Sequence, residues 1–408
     1  MSLTRSTFGK LGLLGALYFS QGLPFGFFTQ GLPVILRQRG FSLAEIGFSS
    51  LLAAPWALKW LWAPLVDRFY SRAFGRRRSW IVPPQVLTAV TLLGLAVLGG
   101  AASLHVLLGA VFVLNLLAAT QDIATDGLAV DLLSPSERGV ANGMQVAGYR
   151  LGMIAGGGAL LIWHDRLGSA ATFTIMAGLT LLATVPVLLR REPARELAGS
   201  EHVKVRHWLR RPGALGVLGL LVAYKAGDAF ATSMLRPFLV DRGLSLADVG
   251  WLLGTVGFVS GLLGALAGGA LVGRFERKRA LLGFGALQAL TVAGYCWLAL
   301  SPLRLDALYL LCSAEHFASG MATAALFTCM MDWCSSEASA TDYTVQASGV
   351  VIATGAASAL GGLSAQAAGY GNHFALATVL AVLALVLAHF AYPDAERAGL
   401  LREARGAV

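Results

Sequence analysis

Charge is what this chain lacks most. Asp, Glu, Lys and Arg make up only 13% of its 408 residues, against about 25% in an ordinary soluble domain. Mean hydropathy is +0.67 and 56% of residues are hydrophobic, which excludes a soluble globular protein or a disordered tail. Cysteine is also scarce. Cys296, Cys312, Cys329 and Cys334 lie in or beside apolar runs without metal-ligand spacing, so neither a disulfide framework nor a zinc site is expected. No Walker loop, HExxH or GxSxG occurs, so no enzyme, no nucleotide chemistry and no cofactor is expected. A cleavable signal peptide is not expected either, because the first apolar run is too long and carries a motif of its own.

What is abundant is glycine, with 49 residues. Small residues let helices approach closely in lipid, where apolar burial no longer drives association. A hydrocarbon core about 30 Å thick needs roughly 20 apolar residues per helix. Runs of that kind predict spans over 11–36, 43–66, 80–101, 104–130, 139–163, 170–189, 213–236, 249–272, 282–300, 305–331, 346–368 and 373–392. The reading is an all-α membrane protein of about twelve transmembrane helices.

The net charge of +9 raises the question of nucleic acid, and the placement of the basic residues answers it. With the N-terminus inside, most Lys and Arg fall in cytoplasmic segments: Arg5, Lys10, the Arg68–Arg78 cluster, Arg138, the 190–211 stretch, Arg274–Arg279 and the tail. That asymmetry orients a multi-pass membrane protein and favours an anionic inner leaflet. It predicts a bacterial inner-membrane location with both termini cytoplasmic, a lipid bilayer as partner and no nucleic acid.

The stretch from Arg190 to Pro212 is the one long polar linker, and the sequence repeats across it. Residues 39–47 read RGFSLAEIG and residues 242–250 read RGLSLADVG. In both, Ser42 or Ser245 is placed to cap a helix, and Glu45 or Asp248 to close a capping box. Gln145 and Gly148 echo Gln346 and Gly349 more weakly. The expected organisation is a six-helix bundle over 1–189, a basic cytoplasmic linker over 190–212, a second six-helix bundle over 213–392 and a tail over 393–408. Two six-helix halves in parallel repeat are the plan of major facilitator transporters.

An ionisable side chain inside a span costs about 2.5–3.5 kcal/mol on insertion scales, so each marks a function or a structural pair. Asp122 and Asp126 share one face of the fourth span. Arg150 lies near mid-depth in the fifth, with Asp122 its natural partner and Asp126 the second choice. Their pairing either locks two helices or breaks and re-forms during transport. In the seventh span Lys225 and Asp228 are three apart and neighbours on one face. In the tenth, Glu315 and His316 reach a similar depth. His316 points about 100° from Glu315 on an ideal helix, so a packed neutral ring is its alternative. Gln21 and the Gly22-Leu23-Pro24-Phe25-Gly26 break sit in the first span. In this fold the first, fourth, seventh and tenth helices line the central cavity. Without a nucleotide loop, an ion gradient is the expected energy source. Membrane carboxylates and a histidine suit protons. Glu315, Asp228 and His316 are therefore the expected proton-coupling groups, and Gln21, Phe25, Arg150, Lys225 and Phe230 the expected substrate contacts. Lys59, close to the inner end of the second span, reads as a lysine snorkelling to the interface between tryptophans.

Several of these segments resemble the AmpG-type permease family: Gln21–Phe27, Lys59–Arg68, Gly75–Trp80, Ala119–Gly127 (TQDI…D), Gly148–Gly152, Tyr224–Phe230 and Glu315–Met321. The resemblance covers nearly the whole chain. It implies a major facilitator fold and secondary transport by alternating access. Asp67, Arg68, Arg76 and Arg77 resemble the cytoplasmic loop signature of major facilitators, where a charge relay steadies one conformation, with Arg274–Arg279 as its counterpart. The family includes muropeptide permeases, acetyl-CoA transporters and siderophore importers. The compact length and the Thr341–Gln346 segment resemble the siderophore group. The expectation is thus proton-driven import of a ferric siderophore of pyochelin or rhizobactin type. A muropeptide (anhydro-sugar peptide) permease, or an exporter of another amphipathic metabolite, is the alternative.

Overall fold

The computed structural model describes residues 5–38, 40, 49–99, 103–190 and 203–392. The first copy of the repeated motif, with Ser42 and Glu45, lies outside them, as do most of the 190–212 linker and the 393–408 tail. Among the described residues every regular element is helical. Eight helices are long and apolar enough to cross a membrane by length and composition.

The helices are numbered here by span. α1 runs over 5–38, from Arg5–Gly26 through a wide turn at Phe27–Gly31 into Leu32–Gln38. α2, over 49–68, is broken. Ser49–Ala53 and Lys59–Leu61 are tightly wound 3₁₀ pieces on either side of Ala54–Leu58, and Ala63–Arg68 follows. Pro55 and Pro64 each sit at the start of a helical piece, where the missing N–H costs least. α3 is Arg78–Leu98 and α4 is Leu104–Leu132, the latter capped by the Ser103 side chain. α5 covers 138–167 and α6 covers 169–189. α7 covers 214–241 and α8 covers 246–272. α9 is Arg277–Leu300 and α10 is Leu305–Asp332. α11 covers 339–368 and α12 covers 370–391.

Two of these spans run into their neighbours with almost no loop. A single 53-residue helical run, Ser339–Ala391, is divided by Gly369 at φ 76°, ψ 165°. The same break occurs at Gly168, φ 79°, ψ 170°, between α5 and α6. A side chain at that backbone setting would be strained, so glycine reverses the chain where no spacer exists.

At the second copy of the repeat, the Ser245 hydroxyl accepts from the Asp248 N–H at 3.1 Å. The Asp248 carboxylate accepts from the Ser245 N–H at 3.2 Å. This is a capping box formed with aspartate, and it starts α8.

The chain forms two compact units. One comprises 1–133, 144–205 and 335–345, and the other 134–143, 206–334 and 346–408. In the first, α1 and α5 touch backbone to backbone: a Cβ on Gly156 would stand 1.9 Å from the Leu23 carbonyl oxygen. In the second, α8 and α10 do the same, a Cβ on Gly264 meeting the Phe317 carbonyl at 2.0 Å.

Candidate transport site

In the first unit the polar centre is built on α4. Asp122 and Asp126, one turn apart, are 8% and 2% exposed. The cation at Asp122 is Lys59, itself 2% exposed. Its Nζ donates to Asp122 Oδ2 and stands 4.0 Å from Asp126 Oδ2. Lys59 therefore does not snorkel to the interface. The broken geometry of α2 places it on the short turn Lys59–Leu61, which carries it inward, and the Trp56 ring covers it at 5.7 Å. Tyr18 of α1 donates to Asp126 Oδ1 at 2.8 Å. The tryptophans flanking Lys59 also have inward partners: Trp56 Nε1 donates to Asn115 and Trp62 Nε1 to Thr120.

Above the carboxylates sits a band of amides. The Ser20 hydroxyl accepts from the Gln85 carboxamide at 2.9 Å and from Gln121 at 3.1 Å. Gln21 is 1% exposed, and both ends of its carboxamide lack a hydrogen-bond partner within the described residues. Such a group is expensive to bury unless something else fills its bonds. Phe25 packs its ring at 5.6 Å from Trp56, 5.8 Å from Tyr149 and 6.0 Å from Phe28. Arg150 follows Tyr149 on α5 and is half-buried.

In the second unit Lys225 Nζ donates to Asp228 Oδ2 at 2.8 Å and to Thr323 Oγ1 at 3.3 Å. Ser319 reaches the same carboxylate oxygen at 3.5 Å, while Asp228 Oδ1 is buried without a partner. On α10, His316 Nδ1 lies 2.9 Å from Glu315 Oε2 and 3.0 Å from the Cys312 carbonyl. The ring thus turns back toward its neighbour and across the 100° that separates them on the helix. Space for it comes from Gly257 of α8, where a Cβ would meet the ring at 2.7 Å. Glu315 Oε1 and the Tyr295 hydroxyl are buried without partners. Phe230 stacks on His373 with centroids 4.6 Å apart. Behind α7, a cavity of ≈ 20 Å³ is lined by Tyr224, Asp228 and Gln288, room for about one water.

The loop signature forms a clasp. Asp67 Oδ1 accepts from Arg76 at 2.7 Å and Arg77 at 2.9 Å. Its other oxygen accepts from the Thr341 N–H and hydroxyl, and so caps the first turn of α11. Arg77 also donates to Asp131 at 2.8 Å and to Ser339 at 2.6 Å. Burial alone would lower the pKa of Arg77, but Asp131 and Asp67 hold it above its ordinary value. Arg76 is lowered, by burial and then by the Arg77 charge. Arg68 stands apart, over the Phe69 ring at 5.5 Å. The second unit has a matching arrangement around Asp332, which accepts from Arg138 at 2.7 Å and Arg277 at 2.8 Å. Arg277 NH2 also donates to the Pro135 carbonyl at 2.6 Å.

Lys59, Tyr18, Ser20, Gln85, Ser319 and Thr323 were absent from the expected site. Lys59 had a signal, a lysine between two prolines in an apolar span. The others are common residues in apolar helices, and only the packing singles them out.

This chain belongs to the Major Facilitator Superfamily, whose profile matches residues 14–338 and 235–407. The all-helical transporter fold read from the sequence is therefore met, in a multi-pass membrane protein. An anhydromuropeptide permease of Escherichia coli is 32% identical over 386 residues, covering 93% of this chain and 79% of that protein. Among solved structures, the Escherichia coli fucose:proton symporter has a TM-score of 0.73 at 14% identity, covering 96% of this chain and all of that one. A bacterial homologue of the iron transporter ferroportin, in an outward-facing state, has a TM-score of 0.73 at 17% identity, covering 94% and 99%. These two likenesses show the fold.

Proposed function

We propose that this protein is an ion-driven inner-membrane permease that imports a sugar–peptide conjugate of the anhydromuropeptide class, with its basic loops and both termini in the cytoplasm. The observation that carries the substrate class is the similarity to the anhydromuropeptide permease over 93% of the chain. It favours the alternative in the sequence reading over the ferric siderophore, for which the relatives offer no support.

The side chains are consistent with such a ligand. The unpartnered Gln21 carboxamide and Gln85 Oε1 suit hydroxyl and acetamido groups. The rings of Phe25, Trp56 and Tyr149 suit the apolar face of a sugar. Each unit also carries a cation of the kind that suits a peptide carboxylate, Arg150 in the first and Lys225 in the second. Glu315 with His316 is the proton-coupling pair, because a carboxylate and an imidazole 2.9 Å apart share a proton that the ring can accept or return. Asp228 holds Lys225 in position.

The test is uptake into proteoliposomes holding the full chain, with labelled anhydromuropeptide in one arm and a labelled ferric siderophore in the other, under an imposed pH gradient. Accumulation of the first alone supports the proposal. Accumulation of the siderophore alone, or of neither, overturns it.

A further inference from the structure

Away from the helix ends, three groups of acids lie in the described membrane spans, and they differ in charge balance. Asp228 faces one lysine. Glu315 faces an imidazole. In the first unit two carboxylates face one lysine. Lys59 is the cation within 4.0 Å of either Asp122 or Asp126 among the described residues.

The two arginines at the Asp131 end of α4 are committed to other acids. Arg77 lies against Gly127, the residue after Asp126, yet its guanidinium is bound to Asp67 and Asp131. Arg76 is bound to Asp67 as well. Those four side chains balance two against two. The hydroxyls facing the acids are neutral: Tyr18 of α1, Tyr343 near Tyr18 from α11, and Tyr149 of α5 on the Asp122 side. Two carboxylates one helical turn apart, out of water and beside one ammonium, do not both stay ionised.

We propose that Asp122 and Asp126 form a second proton-binding centre, in which the pair retains one proton, carried on Asp126 Oδ2. Asp122 is the ionised partner, because Lys59 binds it directly. Asp126 Oδ1 is already filled by the Tyr18 hydroxyl, which leaves Oδ2 to carry the proton. When that proton leaves, Asp126 becomes a carboxylate and Lys59, 4.0 Å away, is drawn to bridge both acids. When a proton returns, Lys59 falls back on Asp122. Since Lys59 sits on a short turn of a broken helix, its movement is coupled to α2. The centre thus converts gain and loss of one proton into a displacement of a membrane helix.

This deepens the ion-driven reading of the transporter, and its test needs no substrate, so a wrong substrate leaves it untouched. The full chain in lipid nanodiscs is labelled with aspartate carrying ¹³C in the side-chain carboxyl, and infrared spectra are recorded across neutral pH. The expected result is a protonated-carboxyl stretch that shifts with the aspartate label. It disappears in Asp126→Asn and equally in Asp122→Asn, because the remaining acid then ionises against Lys59. It grows in Lys59→Gln, moves in Tyr18→Phe, and persists in Asp228→Asn and Glu315→Gln. Absence of the labelled band from the unmutated protein at neutral pH overturns the proposal without any variant having to fold. Survival of the band in both asparagine variants, or its loss in Asp228→Asn, overturns it too.

Discussion

A charged group far from water is held by its partner, and removing one member of a pair is worse than removing both. Lys59→Ala leaves Asp122 and Asp126 buried with no ammonium. Breaking such a pair from one side typically costs about 3–5 kcal/mol. Lys59→Ala should therefore lower the midpoint of thermal unfolding well below that of the Lys59→Ala/Asp122→Asn double variant, as followed by tryptophan fluorescence in detergent. A double variant no more stable than the single one would mean the pair is not coupled. Glu315→Gln makes a different prediction. It mimics the protonated acid, so substrate exchange across the membrane should continue while uphill accumulation under a pH gradient is lost. Lys225→Ala should instead raise the half-saturating substrate concentration. Normal accumulation by both Glu315→Gln and Asp228→Asn would remove these carboxylates from the coupling step. The sequence made the acids of α4, α7 and α10 visible, because a charge inside an apolar run needs an explanation. It offered Asp122 first and Asp126 second as partner for Arg150, because an arginine near mid-depth needs an anion. The structure gives Asp122 to Lys59, because α2 is not the straight helix that hydropathy counting assumes.

Helix crossings and chain reversals depend on single glycines, and the cost of filling one follows from what surrounds it. Gly156→Ala would place a methyl 1.9 Å from the Leu23 carbonyl oxygen, backbone that cannot step aside, so α1 and α5 must separate. Gly369→Ala meets nothing within 4 Å but must hold φ 76°, a strain of about 1–3 kcal/mol. Gly94→Ala, in the interior of α3 with open space around it, should be neutral or slightly stabilising. Thermal melts of the three purified variants should rank Gly94→Ala above Gly369→Ala, and both above Gly156→Ala. Equal melting of Gly156→Ala and Gly94→Ala would show that the α1–α5 contact is looser than described. Most spans were legible in the sequence from apolar run length alone. Their internal breaks were not, since the wide turns at Phe27–Gly31, Ala155–Ala159 and Gly250–Val256 change only one hydrogen-bond register each and leave the hydropathy untouched.

At the scale of the molecule, each unit carries a clasp in which one aspartate takes two arginines, Asp67 fully buried in the first and Asp332 partly buried in the second. Asp67→Ala removes the carboxylate that takes both Arg76 and Arg77 and caps α11. Three charge-assisted bonds and a helix cap are lost together. The variant should melt markedly lower, and trypsin should cleave the Arg76–Arg78 stretch faster than in the unmutated protein. An unchanged cleavage rate would mean the clasp does not order that loop. The repeat RGFSLAEIG/RGLSLADVG pointed to two equivalent bundles, and its second copy forms a helix start. Of the clasp around Asp332, the sequence showed only the Arg274–Arg279 stretch as a counterpart loop; Asp332 and Arg138 were not legible as its partners, because they lie far from it in sequence without a contiguous signature.

The make-up of the units bears on how the gene can be cut. Residues 134–143 group with the second unit and 335–345 with the first. Severing the chain in the 190–212 linker would therefore yield two polypeptides, each lacking a piece of its own core and carrying a piece of the other's. Asp67, Arg76 and Arg77 in the amino-terminal fragment would have no Ser339 or Thr341 to bind, and Asp332 and Arg277 in the carboxy-terminal fragment would have no Arg138. Neither fragment is a self-sufficient folding unit on these terms. Each would accumulate poorly when produced alone and be rescued by the other in the same cell, so the two pieces would behave as obligate subunits of a heterodimer.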